Sequence, residues 1–541
     1  MPQKKPTTIT ITNFAGRLTR YQTGQLDSGF AKFDTSWGYD PFSKPGDLTW
    51  LYKPSDIGGS VVADAVLSGK MATNDSTARF IYAIGNAGRL YEIDPTQSET
   101  TTTPLNDTAS VIAVISSVSG TFQYGGDIEY YNGKLAISSD SNVVTVNLDG
   151  SAIASVTGSS SITGALYHPQ VQFLGNLYVG NGNNLVEISA GVVTNGAKLS
   201  PALPTGTYIS DLDVTPDGTF MIITASALYP VNISSPGGSS DRGNPYAADS
   251  TIYYWNGIDD GITSYETLPS FPATALNTFL DKRFSFIQDA FGTSIYEGKQ
   301  KMLTLPNNMV PMADGSAPNG TFLSWVAPEG TGTVSSSSTS YDNTWASLYY
   351  YGSLDAENPT GLWRLLRQAP QASNHIWRTP MNLMVNNFSF SRQTVIGWGK
   401  HYFSTFEYNS GAQTNTYKLY RFVLPPAANT NPVLGVFETQ NQLFSKKIKI
   451  SQIRVYTEPT AANNGFQLDI IGGDGAVVSN GTFTYTFVSG SDTEKLQGSL
   501  ERINFNPSIA TLYSAGLRIT NTGTVNMTIL KIEVDYTEEG K

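Results

Sequence analysis

The stretch Arg89-Leu90-Tyr91-Glu92-Ile93-Asp94 decides how this chain is expected to fold. Its apolar side chains lie two residues apart, so a strand formed here buries one face and exposes the other. The same pattern returns further along the chain at residues 142–147, 184–189, 227–232, 294–297, 361–364 and 418–422. The better copies follow a second strand and a turn rich in Gly and Asn, which tolerate the positive φ angles of hairpin turns. The repeat therefore predicts a series of β-hairpins.

The spacing of the copies predicts how these hairpins assemble. The first anchors of the pattern, Leu90, Val143, Leu185 and Leu228, lie roughly 40–55 residues apart, and the later copies are spaced more widely. This interval suits a four-stranded sheet, the unit that is repeated radially in a β-propeller. Seven copies favour seven blades, and six blades remain if one of the looser copies is false. The alternative fold is a two-sheet sandwich with irregular hairpins.

The composition agrees with an all-β protein and excludes several classes. The chain has 541 residues, which predicts two or three domains, and its 51 Gly, 28 Pro and 11% aromatic residues are typical of strands and turns. It contains no Cys, so neither disulfides nor thiolate chemistry are expected. The net charge of −11 argues against a nucleic-acid ligand, although an acidic lining would suit a conduit through which DNA passes as cargo. No apolar run has the length of a signal-peptide core or a membrane span, so no membrane insertion is expected.

Composition shifts divide the chain into four segments. Residues 1–50 form an N-terminal arm, in which the alternating residues 7–12 are expected either to complete the last blade or to add to a neighbour's sheet edge. The aromatic-rich remainder of the arm is expected to pack on the propeller, which spans residues 51–424. A Pro-rich linker, 425–432, separates it from short alternating strands in 433–541, which predict a jelly-roll-like β-sandwich.

The titratable residues form no recognisable reaction site. His168, His375 and His401 are the only histidines, and because none is near another in sequence we expect isolated structural or surface residues. Asp211, Asp213 and the Asp217-Gly218 pair resemble a calcium loop only in part, since the third acid falls two residues late; a turn with solvated carboxylates is expected. We therefore assign no catalytic residue, no cofactor-binding residue, no metal site and no cofactor.

Two further features bear on carbohydrate chemistry. Residues 316–325 are a faint match to the box of sialidases, but they lack its Asp and its Thr-Trp pair. The aromatic clusters at 253–255 and 349–351 could stack on sugars, although alternate members of each are expected in the core if they lie on strands. The sequence therefore predicts a protein that is not an enzyme.

The arm, the Lys44-Pro45-Gly46 tripeptide before the first blade, and the start of the C-terminal module at 437–456 together carry a resemblance. They resemble β-propeller structural proteins of tailed-bacteriophage virions, including relatives of tail nozzle (tail tubular) proteins. The resemblance implies a non-enzymatic virion component, assembled in the host cytoplasm, that forms a homo-oligomeric ring in the tail and contacts other virion proteins. A carbohydrate-binding, lectin-like propeller for host attachment is the alternative, and a propeller glycosidase or sialidase is the next.

Overall fold

The computed structural model describes the backbone of residues 5–539 except for several gaps. These gaps are residues 13, 15–32, 38, 41–46, 51–54, 58–60, 65, 75–77, 95–111, 123–125, 163–166, 216–217, 227–250, 268–272, 280–281, 290–291, 298–299, 305–318, 327–342, 352–360, 368–373, 381–394, 398–399, 410–413, 424–434, 459–464, 488–493, 497–499 and 523–526. Side chains are described mainly for residues 61–267 and 435–539. The linker predicted at 425–432 lies outside this part of the chain.

The described secondary structure consists of strands and one short 3-10 helix, Ser159–Ser161. The strands of the N-terminal third are β1 (Thr7–Ile11), β2 (Phe33–Trp37), β3 (Tyr39–Asp40), β4 (Leu48–Trp50), β5 (Ser55–Asp56), β6 (Val66–Asn74), β7 (Ala78–Gly85), β8 (Arg89–Ile93), β9 (Ile112–Ser117), β10 (Asp127–Tyr131), β11 (Lys134–Ser138), β12 (Val143–Asn147), β13 (Ala154–Ser155), β14 (Gln170–Phe173), β15 (Asn176–Asn181), β16 (Asn184–Ser189) and β17 (Val192–Asn195). The middle of the chain adds β18 (Tyr208–Val214), β19 (Met221–Ser226), β20 (Thr251–Trp255), β21 (Ser264–Thr267), β22 (Ala273–Phe279), β23 (Lys282–Asp289), β24 (Gly292–Glu297), β25 (Gln300–Thr304), β26 (Asn319–Val326), β27 (Asn343–Tyr351), β28 (Gly361–Arg367), β29 (Asn374–Pro380), β30 (Val395–Gly397), β31 (Lys400–Asn409) and β32 (Thr414–Val423). The C-terminal part contains β33 (Val436–Thr439), β34 (Gln442–Thr457), β35 (Gly465–Ile471), β36 (Val477–Thr486), β37 (Glu494–Leu496), β38 (Leu500–Phe505), β39 (Leu512–Asn521) and β40 (Thr528–Glu538). Within the described residues, no helix is long and apolar enough to span a membrane.

The chain divides into two compact units. One comprises residues 54–360 and 383–423, and the other comprises residues 1–53, 361–382 and 424–541. The first contains the propeller sheets except β28 and β29, and the second is a β-rich module that contains both chain ends together with residues 361–382, which carry those two strands. Each unit is described separately below.

Four-stranded sheets in chain order make up the propeller. Among the described strands there are seven such sheets: β6–β9, β10–β13, β14–β17, β18–β21, β22–β25, β26–β29 and β30–β32 with β5. The number matches the seven blades that the sequence favours. Tight turns connect the strands, as at Gly88 with φ of 79° and Gly182 with φ of 62°, where the predicted Gly- and Asn-rich turns require the left-handed region.

In six of the seven places where neighbouring sheets meet, the first strand of one sheet contacts the first strand of the next, which makes these first strands the inner strands of the propeller. Strand β10 contacts β6 and β14, β18 contacts β14 and β22, and β30 contacts β6. Strand β5 completes the last sheet by pairing with β32, in the register Tyr420↔Asp56 and Arg421↔Ser55. Since β5 precedes the first sheet in sequence, this pairing closes the ring with residues from both ends of the propeller.

The repeated signature marks the third strand of its sheet in six of the seven places. It coincides with β8, β12, β16, β24, β28 and β32. The exception is the fourth sheet, whose third strand is β20 (Thr251–Trp255) rather than the predicted copy at 227–232, which lies outside the described residues. In this sheet the third strand, Thr251–Trp255, follows a long insertion, and four of its five residues are buried.

Apolar side chains of the second and third strands fill the space between neighbouring sheets. Tyr82 and Leu90 of the first sheet pack with Leu135 and Val144 of the second in one fully buried cluster. A second cluster joins the third and fourth sheets through Leu185 and other side chains. Each sheet therefore needs its neighbours to cover its faces.

The second unit contains a continuous sheet of twelve strands that folds over on itself. One part has the order β2-β33-β39-β35-β36, and the other contains β37-β38-β34-β40 followed by β4 and β3. Phe505 of β38 contacts Phe466 of β35 and Phe483 of β36 at ring-centroid distances of 6.0 and 5.6 Å, so the two parts face each other. The C-terminal β-sandwich is confirmed, with four strands from the arm that the jelly-roll-like expectation did not include.

The arm belongs to this module. Strand β1 pairs antiparallel with β40 in the register Thr7↔Tyr536 to Ile11↔Ile532, and Phe14 lies against Phe437 at 5.7 Å. The expectation that residues 7–12 complete the last blade was wrong, because β5 takes that place and Ile11 is buried beside β40 instead. Residues 15–32 of the arm, including Phe30, lie outside the described residues.

Candidate functional site at the inner strands

Polar side chains gather on the inner strands of the propeller. Ser68 and Lys70 lie two residues apart on β6, and Asp127 and Glu129 occupy the matching positions on β10. Gln170 begins the next inner strand, β14. Because side chains two apart in a strand point to the same face, these residues meet where neighbouring inner strands contact each other.

Asp127 joins three sheets. Its Oδ1 accepts a hydrogen bond from Ser68 Oγ at 2.9 Å, and its Oδ2 accepts one from the backbone N–H of Gln170 at 2.9 Å. Gln170 Nε2 in turn donates to the carbonyl oxygens of Asp127 and Ala136, both at 2.8 Å. Burial raises the pKa of Asp127 above its usual value, although these donors and Lys70 oppose the rise. The carboxylate therefore acts as a buried cross-link.

Lys70 and Glu129 form an ion pair between the first two sheets. Lys70 Nζ lies 2.8 Å from Glu129 Oε2, and the side chains are 43% and 10% exposed. Burial raises the pKa of Glu129, against the opposing effect of Lys70. Burial alone would lower the pKa of Lys70, but the carboxylates of Glu129, Asp127 and Asp213 raise it overall. The lysine is thus held charged by the acids around it.

The inner strands are acidic as a set. Their described sequences contain four carboxylates, Asp127, Glu129, Asp211 and Asp213, and one cation, Lys70. No arginine occurs in these seven strands, whereas an arginine cluster is a feature expected of a sialidase centre. The described inner strands therefore carry more acidic than basic side chains, as the chain as a whole does.

Asp211 and Asp213 do not form the turn predicted for them. Both lie within strand β18, where their Oδ1 atoms accept hydrogen bonds from the next residue's N–H at 2.9 and 2.8 Å. The turn follows them: the N–H of Gly218 donates to the carbonyl of Thr215 at 2.7 Å, and Asp217 is outside the described residues. Across the part of the chain that is described, no group of three His, Asp or Glu is arranged to hold a metal ion.

His168 has a structural position. Its Nδ1 lies 2.7 Å from the carbonyl oxygen of Gly180 and its Nε2 lies 3.1 Å from that of Asp140, while its own carbonyl accepts a hydrogen bond from Ser138 Oγ at 2.7 Å. The buried ring therefore connects the second and third sheets. The side chains of His375 and His401, on β29 and β31, are not among those described.

The aromatic cluster at 253–255 is part of the core. Tyr253 and Tyr254 are buried, and Trp255 is completely buried against Tyr178, with ring centroids 5.2 Å apart. Trp255 Nε1 donates to the carbonyl of Asp259 at 2.6 Å. This cluster offers no sugar-stacking surface. The cluster at 349–351 lies on β27, and residues 316–318 precede β26; their side chains are outside the description.

The inner-strand residues were not singled out from the sequence. Pairs such as Ser68 with Lys70 and Asp127 with Glu129 look like the solvated face of any hairpin. The signal that could have found them is their common place: each pair lies on the first strand of a sheet, as do Asp211 and Asp213. That place becomes visible only after the sheets are assigned.

Comparisons with known proteins find no matching family and several solved structures of low similarity. No protein-family model matches the chain, and no curated protein matches it. Among solved structures, the chain is similar to the Neurospora crassa Pan2 WD40 domain, with TM-score 0.41, 10% identity, and 71% of this chain and 97% of that chain covered. It is also similar to the computationally designed Ika8 protein, with TM-score 0.35, 8% identity and coverage of 69% and 100%, and to a chain of the Mitotic Checkpoint Complex, with TM-score 0.39, 8% identity and coverage of 75% and 99%.

Proposed function

We propose that this protein is a non-enzymatic structural component of a tailed-phage virion, a tail protein that assembles into a homo-oligomeric ring. The observation that supports the non-enzymatic part of this proposal is the inner-strand network, whose carboxylates are engaged within the protein. Asp127 accepts hydrogen bonds from Ser68 and Gln170 of the two neighbouring sheets, and Glu129 forms an ion pair with Lys70. These contacts connect the first three sheets of the propeller. A glycosidase needs a pair of carboxylates that face its substrate, and Asp127 and Glu129 are buried and engaged with other side chains.

The net charge of the chain supports a place along a DNA path. A surface that lets DNA pass must not bind phosphate, and carboxylates repel it. The chain as a whole has a net charge of −11. The virion assignment itself rests on the resemblance of the arm, the Lys44-Pro45-Gly46 tripeptide and the C-terminal module to tail nozzle proteins.

The carbohydrate-binding alternative has less support in the described residues. Its first aromatic cluster, at 253–255, lies in the core. The exposed aromatic side chains that the structure does describe, Tyr265 and Tyr513, are 66% and 56% exposed and lie on strands rather than on loop tips. We therefore propose a scaffold rather than a lectin.

Particle composition tests this proposal. Antiserum raised against the purified protein should label intact virions of the phage that encodes it, and quantitative mass spectrometry of those virions should return a fixed copy number per particle. Incubation of the purified protein with sialosides and common polysaccharides should give no turnover. Absence of the protein from purified virions, or hydrolysis that a single carboxylate substitution abolishes, would overturn the proposal.

A further inference from the structure

The sheet edges of the module formed by the chain ends differ in how well they are protected. An edge strand exposes unpaired N–H and C=O groups, and proteins prevent unwanted pairing there with short strands, charges, bulges or proline. The described edge strands of the twelve-stranded sheet in this module are β1, β2, β3, β36 and β37. They fall into two groups, protected and unprotected.

Three of these edges carry such protection. Strand β3 has only two residues, one of which is Asp40. Strand β37 has three residues, and two of them, Glu494 and Lys495, are charged. Strand β2 contains Asp34 at a register shift in its pairing with β33, which is the position of a bulge. None of the three presents a long uncharged edge.

The other two edges are unprotected. Strand β1 reads Thr-Thr-Ile-Thr-Ile and pairs only with β40 among the described strands. Strand β36 pairs only with β35 there, and after an irregularity its regular part, Thr482 to Thr486, reads Thr-Phe-Thr-Tyr-Thr. Neither β1, with five residues, nor β36, with ten, contains a charged residue or a proline, and residues 8–11 and 482–486 alternate threonine with apolar residues.

The two unprotected edges lie on different parts of the folded sheet. Strand β1 borders β40, whereas β36 borders β35 on the other part. Two different patches that join copies head to tail form a heterologous interface, and such an interface closes into a ring when the rotation between copies allows it. A self-complementary pairing of β1 with β1, or of β36 with β36, would instead give closed dimers.

We infer that β1 of one copy of this chain adds to β36 of the next copy, so that a continuous sheet joins neighbouring subunits. The partner is a second copy of this chain, because one copy presents two uncharged edges at separate places, as a head-to-tail assembly requires. Backbone hydrogen bonds supply the affinity, and the alternating side chains set the register. This inference rests on the proposed ring and names the surface that builds it.

The absence of cysteine from the chain makes the test direct. Thr10 and Thr484 are exposed residues within the two segments. Thr10→Cys and Thr484→Cys chains, co-expressed with different tags, should be joined by a short bis-maleimide into a product that contains both tags. The matched control replaces Thr484→Cys with Ser508→Cys, an exposed loop position of the same module, and should give no such product.

Charge on either edge provides an independent measurement. Thr10→Lys or Thr484→Lys should weaken ring assembly about tenfold or more, while Ser508→Lys leaves it unchanged. Each variant should melt as the unmodified chain does, which separates lost assembly from lost folding.

The outcomes distinguish the two proposals. Rings that form normally but give no mixed-tag product and tolerate both lysines would overturn the β1–β36 contact and leave the ring in place. Cross-links within Thr10→Cys alone or Thr484→Cys alone would replace it with a two-fold contact, and cross-links only to another protein would also overturn it. A chain that stays monomeric would overturn the proposed function itself.

Discussion

Removal of the Asp127 carboxylate should loosen three sheets of the propeller at once. In Asp127→Ala, the hydroxyl of Ser68 and the backbone N–H of Gln170 lose their acceptor in a buried place. A buried donor left without its partner costs about 1–3 kcal/mol, so two such donors predict a loss of about 2–6 kcal/mol in the free energy of unfolding. Release of the burial cost of the carboxylate, visible in its raised pKa, offsets part of this loss.

Urea unfolding of the full chain measures that loss, and hydrogen exchange locates it. Peptides that cover β6, β10 and β14 should exchange faster in Asp127→Ala, while those that cover β34 and β40 should exchange as before. Asp149→Ala is the matched control, because Asp149 is an exposed residue of the turn after β12. If Asp127→Ala unfolds within about 0.5 kcal/mol of the unmodified chain and the exchange of β14 is unaltered, the cross-linking role is refuted.

Three further changes test other parts of the structure. Hydrogen bonds from Lys531, Arg454 and Tyr456 outweigh burial and lower the pKa of Glu533 to about 2. Glu533→Gln should therefore lower the free energy of unfolding by about 1–3 kcal/mol at pH 7. Because the ionised carboxylate stabilises the folded state, the difference between Glu533→Gln and the unmodified chain should decrease as the pH falls from about 5 to about 2. Glu538→Gln, whose partner Lys446 is 3.5 Å away and 62% exposed, is the control and should change little; equal pH profiles for the two variants would contradict the account. Deletion of residues 1–12 removes the buried Ile11 and exposes β40, so calorimetry should show a loss of about 2–3 kcal/mol in the module formed by the chain ends with the propeller transition unmoved, whereas a shift of the propeller transition alone would show that the arm packs elsewhere. Trp255→Ala should cost about 3–5 kcal/mol by leaving a cavity beside Tyr178, and glycan arrays should give the same result for Trp255→Ala and the unmodified chain; a binding signal lost only in Trp255→Ala would restore the sugar-stacking interpretation.

The repeated strand pattern was sufficient to predict the propeller. Its apolar alternation is a local property, and it marks the third strand of a sheet at Leu90, Val143 and Leu185. These strands are buried on both faces, which is more than the alternation alone predicts. At the fourth sheet the third strand, Thr251–Trp255, follows a long insertion that breaks the spacing, and the copy predicted at 227–232 lies outside the described residues. The aromatic residues at 253–255 suggested a sugar-binding surface, but the structure shows that they are buried. The residue type alone does not determine whether an aromatic side chain is buried or exposed.

Long-range pairing was beyond the reach of the sequence. Strand β1 is visible as a strand from its alternation, yet its partner, β40, lies more than five hundred residues away, and no local pattern specifies which edge it joins. The same limit applies to Asp127, whose partners Ser68 and Gln170 come from different sheets. The sequence therefore predicted the strands and the fold class, while the contacts between distant strands became visible only in the structure.

The size of the assembled protein tests the central claim most directly. Native mass spectrometry of the purified full-length chain, together with negative-stain images of the same sample, would determine whether copies associate and in what geometry. The account predicts one closed ring with a single fixed number of subunits. A monomer at micromolar concentration, or a two-fold dimer that does not grow into a ring, would contradict it.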